Sequence, residues 1–135
     1  MTSDLNDPIA AGTWLLNRGR YEDALYYATL FWPPFVEVEG CVLLGTKEPE
    51  TFREWQAKCA GDRARIEAML NHRHLEELFL AAPDPTPEMT RQFGRVLREM
   101  WMAKLAQDFP GQRFVVSVSE GEDPEITFCS ERRDG

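Results

Sequence analysis

Residues 24–44 read ALYYATLFWPPFVEVEGCVLL, and the chain changes character inside them. Tyr21, Leu25, Ala28 and Trp32 fall at i, i+4, i+7 and i+11, one face of a helix. Tyr27, Leu30 and Phe31 fill a second face. A helix apolar on nearly every side is normally buried between other elements. Glu22 and Asp23 suit its first turn, where carboxylates meet the positive end of the helix dipole. Pro33 removes a backbone donor and biases Trp32 towards extended geometry, so the helix must stop there. Trp32 is therefore expected in the core, anchoring the corner between helix and sheet. The competing expectation is a partner-facing patch of Tyr26 and Trp32. Beyond Pro34, Val36, Val38, Val42 and Leu44 share one parity, and Glu37 and Glu39 take the other, a half-buried strand pattern. Gly40 interrupts it as a bulge or a hairpin turn, with the hairpin preferred.

Upstream, Asp7 then Pro8 spells a helix start, a cap followed by proline at the first helical position. Ile9, Thr13 and Leu16 share a face of this helix, with Trp14 and Leu15 beside it, and Gly19 can close it. The words GRYEDAL, Gly19 to Leu25, resemble the start of the second helix of a tetratricopeptide repeat. The resemblance covers about seven residues and departs where Pro33 and Pro34 lead into a strand. Repeat arrays need about three copies at a ~34-residue period. No second copy is present, so the segment reads as a helical hairpin with similar turn chemistry.

Downstream, Thr46 to Glu50 is a polar loop and Pro49 opens a long helix. Phe52, Trp55, Cys59, Ile66 and Leu70 give its stripe, and Gly61 inside it marks a kink or a close crossing. Asn71 ends that pattern before a turn with Leu75, Leu78 and Phe79. Ala81 to Pro87 is a proline-rich linker. Thr86, Pro87 and Glu88 start the best amphipathic helix of the chain, with Met89, Phe93, Val96, Leu97, Met100, Trp101 and Leu105. Phe109-Pro110-Gly111 ends it. Phe114 to Val118 and Ile126 to Cys129 alternate around a turn at Glu120 to Pro124, an antiparallel hairpin. The closing ERRDG reads as a frayed tail. These elements predict an α+β fold: one small antiparallel sheet of three or four strands, packed on one side by about four helices.

With 135 residues the chain suits one domain, 1–135. Fifteen basic against 23 acidic residues give a net charge of −8, which opposes nucleic-acid binding and docking on anionic membranes. A basic partner would fit that charge. The N-terminus MTSDLNDP lacks the apolar run of a secretory signal, and no stretch is apolar enough to span a membrane. Cys41, Cys59 and Cys129 form no CxxC and read as reduced, buried thiols, which points to the cytoplasm.

Catalytic signatures are sparse. His72 and His74 are the only histidines, and two residues apart on a helix they diverge, so no metal site is expected; on a loop they could converge. No GxSxG, SxxK, HExxH or phosphate loop occurs, and no cofactor is expected. Glu37 and Glu39 could act as paired carboxylates, although a solvated strand face accounts for them as well. The reading is a small acidic interaction or accessory protein, in a specific form an immunity-like inhibitor of a basic partner, or a self-associating one. Its partner-binding candidates are Tyr26, Trp32, Glu37 and Glu39, and it carries no assigned catalytic residue. The alternative is a small enzyme using an unrecognised carboxylate and histidine.

Overall fold

A computed structural model describes residues 6–45, 47–79 and 84–131. The elements are α1 Pro8–Arg18, α2 Tyr21–Phe31, β1 Phe35–Val38, β2 Cys41–Leu44, α3 Pro49–Lys58, α4 Arg63–Leu70, β3 Arg73–His74, a 3₁₀ turn Leu75–Phe79, α5 Pro87–Asp108, β4 Phe114–Val118 and β5 Glu125–Ser130. The class is α+β. The strands, expected in one sheet, divide between two antiparallel ones, β1-β2 and β3-β5-β4. Expectations for residues 1–5, 46, 80–83 and 132–135, which include parts of the two loops and the tail, lie outside the described residues.

The cap signals act as their chemistry requires. Asp7 accepts from the Ile9 amide at 2.9 Å and Thr86 from the Met89 amide at 3.1 Å, each with proline next in the chain. Gly61 ends a helix instead of kinking one. The Gly61 amide bonds the Gln56 carbonyl and the Ala60 amide the Ala57 carbonyl, the paired bonds of a Schellman stop. Ala60 and Gly61 both have positive φ, 52° and 75°. Asp62 then caps α4, so the long helix is two short ones.

Gly40 makes the preferred hairpin, and its geometry changes which residues share a face. Glu39 and Gly40 have φ of 48° and 85°, the two-residue turn with both central residues left-handed. Val38 then faces Cys41 and Phe35 faces Leu44. A turn of two residues flips parity, so Val36 and Val38 join Cys41 and Leu43, while Val42 and Leu44 join Phe35. Each group enters a different core. Phe35 and Val42 pack with Leu97, Trp101, Leu105, Val116, Ile126 and Phe128; Cys41 and Leu43 pack with Phe52, Cys59, Ile66 and Leu70. Helices therefore cover both strand faces, α5 on one and α3 with α4 on the other. The first core centres on three edge-to-face rings: Phe35 to Phe128 at 5.1 Å, Trp101 to Phe128 at 5.8 Å and Phe35 to Trp101 at 6.3 Å.

Two buried polar side chains stitch the sheets together. Glu67 and Asn71 lie one turn apart on α4, fully buried. The Glu67 carboxyl accepts from the Val42 amide at 2.7 Å, the Ser130 amide at 2.8 Å and the Ser130 hydroxyl at 2.9 Å. Asn71 Oδ1 accepts from the Leu44 amide at 2.8 Å, and its Nδ2 donates to the carbonyls of Val42 and Phe128. Thus β2 and β5 present backbone groups to one helix instead of to each other. Among the described residues no buried side-chain polar atom lacks a partner.

The expected burial of α2 does not hold. No residue of α1 or α2 is buried. Only the second face of α2 docks: Leu30 and Phe31 pack against the first core, Phe31 meets Phe93 at 5.5 Å, and Trp101 Nε1 donates to the Leu30 carbonyl at 2.9 Å. Among the described residues no element buries the other faces of α2. Trp32 is 39% exposed and is no core anchor; the corner is filled by buried Pro33 and Phe35.

Candidate functional site

The face of α2 that was expected inward is the one left in solvent. Tyr21 is 93% exposed, Leu25 and Tyr26 68% each, and on α1 Leu16 is 85% exposed. Ile9, Trp14, Leu15, Tyr27 and Trp32 are exposed as well. Aromatic side chains carry roughly 150–250 Å² each, so the exposed side chains of α1 and α2, summed over the two helices, present on the order of 1,000 Å² of apolar groups. Trp32 is steadied on one side by the Lys104 ammonium, 5.9 Å from its ring centre, and Lys104 also pairs with Asp108. Tyr27 stacks on Phe79 at 6.3 Å.

Of the residues singled out by sequence, Tyr26 is 68% exposed on α2 and Trp32 39% exposed at its end. Glu37 and Glu39 do not form a carboxylate pair on one strand face, since Glu39 belongs to the turn. Neither is the partner of a histidine. His74 takes its carboxylates from elsewhere: Nδ1 lies 3.1 Å from Asp123 Oδ2 and Nε2 lies 2.9 Å from Glu125 Oε1. Burial pulls the His74 pKa down, but the hydrogen bond and charge of Asp123, with the charges of Glu125 and Glu77, outweigh it and move it above 6.5. The helical argument for diverging histidines does not apply because neither is on a helix: His72 lies just before β3 and His74 is in it. Their ring centres are 5.4 Å apart. No sequence signal marks this, because a two-residue strand has no periodicity to read.

Cys41 and Cys129 are poor nucleophiles. Burial, together with Glu67 and Glu39 and against Arg63, pushes Cys41 up to about 11. Burial, Glu67 and Asp62 also raise Cys129. No disulfide joins the three cysteines.

Clefts among the described residues include the following two. One of about 900 Å³ runs between α5 and the β4–β5 turn, where Arg91, Arg95 and Arg98 face Glu76, Glu120 and Glu122. The other, about 610 Å³, lies at the start of α4 beside Gln112 and Arg113. Neither is lined by a histidine, a cysteine, Glu37 or Glu39. No helix among the described residues is long and apolar enough to cross a membrane. No protein-family model, curated protein or solved structure matches the chain.

Proposed function

We propose that this protein is a non-catalytic interaction module that pairs with a second copy of itself through the exposed face of α1 and α2. The observation that carries the reading is the exposure of Tyr21, Leu25 and Tyr26 on α2 and of Leu16 on α1, with Trp32 partly exposed at the end of α2. A standard interface covers ~800 Å² per partner, and the exposed apolar side chains of α1 and α2 are the candidates to supply it. Aromatic groups are the enriched anchors of such surfaces. Charge favours a like copy over a basic partner. The net −8 of the chain lies mostly outside this segment, where Asp7, Glu22 and Asp23 nearly balance Arg18 and Arg20. Two copies can meet there without repulsion, and one shared patch on both subunits is the commonest oligomer symmetry.

Sedimentation velocity over a wide concentration range tests this on wild type, Leu16→Glu and Tyr26→Glu. Both positions are exposed, so the variants should keep the wild-type circular dichroism. Wild type is expected to associate as concentration rises and both variants to stay monomeric. A wild type that is monomeric throughout, or variants that associate equally, overturns the reading.

A further inference from the structure

Strand β3 has only two residues, paired to β5 with His74 opposite Glu125. His72 immediately precedes the strand, and its ring centre lies 5.4 Å from that of His74. A ligand atom from each of His72, His74 and Glu125 lies within 4.8 Å of the others. The orientation of the rings is set from behind. His72 Nδ1 is 2.7 Å from the Met69 carbonyl, which can only accept, so Nδ1 carries the proton and Nε2 keeps its lone pair. His74 Nδ1 is held in the same way by Asp123. A carbonyl or carboxylate behind Nδ1, which leaves Nε2 available to an ion, is the outer-shell arrangement of metal-binding histidines.

We infer that His72, His74 and Glu125 form a binding site for a divalent transition-metal ion, with zinc the best-fitting member. Two imidazoles and one carboxylate are borderline donors that suit zinc, whereas calcium and magnesium favour oxygen-only sets. Zinc bonds of about 2.0–2.2 Å place ligand atoms about 3.3–3.5 Å apart. Small rotations of these partly exposed side chains bring the three donors to that spacing, and water completes the shell. An ion bound at His74 Nε2 displaces to solvent any proton held there against Glu125 Oε1, 2.9 Å away. Because the ligands come from both strands, the ion also clasps β3 to β5.

Titration calorimetry with zinc chloride, run in two buffers of different ionisation enthalpy, tests the site. One ion per chain is expected, with release of about one proton. His72→Ala, an exposed position that leaves the fold alone, should abolish saturable binding. Asp123→Asn should weaken it by about 10–100-fold through loss of ring orientation. With only two histidines in the chain, NMR should show both imidazoles shifting together as zinc is added. No saturable binding, unchanged binding by His72→Ala, or a shift in only one imidazole overturns the assignment.

Discussion

Replacing Glu67 by alanine is the sharpest test of how the two sheets are joined. The change removes the acceptor for the Val42 amide, the Ser130 amide and the Ser130 hydroxyl. The hydroxyl can turn to another acceptor, but the two amides are fixed by their strands. A buried donor left unsatisfied costs about 1–3 kcal/mol. Two of them give about 2–6 kcal/mol, and the space vacated by the side chain adds to this. Typical stability is roughly 5–15 kcal/mol, so Glu67→Ala should lose a large share of it. Glu67→Gln keeps the volume but turns an NH₂ donor towards an N–H donor, so it should also destabilise, by less than alanine. Urea unfolding followed by circular dichroism gives both values from the shift in midpoint at constant slope. A loss below about 1 kcal/mol for Glu67→Ala would refute the claim that this side chain stands in for a strand.

Ala60→Gly should raise stability by about 0.5–1 kcal/mol, since relief of left-handed strain exceeds the added chain entropy of glycine; a lower melting temperature would contradict the helix stop at Ala60. Trp101→Phe should cost about 1–3 kcal/mol, because the Leu30 carbonyl loses its donor and the core loses volume, and amide exchange should quicken in the last turn of α2. Cys41 should resist alkylation in the native protein at pH 8, where a pKa of about 11 leaves about 0.1% thiolate; labelling should accelerate as pH rises towards that value, and rapid labelling at pH 8 would show the thiol is not buried.

Local chemistry was legible in the sequence where one residue type answers one backbone need. Asp7, Thr86 and the prolines after them mark helix starts, and the stripe of Leu97, Trp101 and Leu105 marks the buried face of α5. The β4–β5 hairpin follows from alternation on both sides of a turn. What periodicity cannot say is which neighbour covers a face. The stripe Tyr21, Leu25, Ala28 and Trp32 is as regular as the one on α5, yet among the described residues it is not buried. Parity across Gly40 depends on turn length, and the pattern alone does not give it. Glu67 and Asn71 look like surface residues beside Ile66 and Leu70; only strands brought from residues 42–44 and 128–130 make them core. Tyr26 and Trp32 were visible as candidates by their aromatic crowding, while His72 and His74 needed the pairing of β3 with β5 to meet Glu125.

The pairing of α1 and α2 with a second copy is tested most directly by isotope-filtered NMR on an equal mixture of labelled and unlabelled protein. Nuclear Overhauser contacts between copies should arise from Leu16, Tyr21, Leu25, Tyr26 and Trp32 and fade on dilution. Intermolecular contacts that arise from α5 or the strands, or none at any concentration, would contradict it.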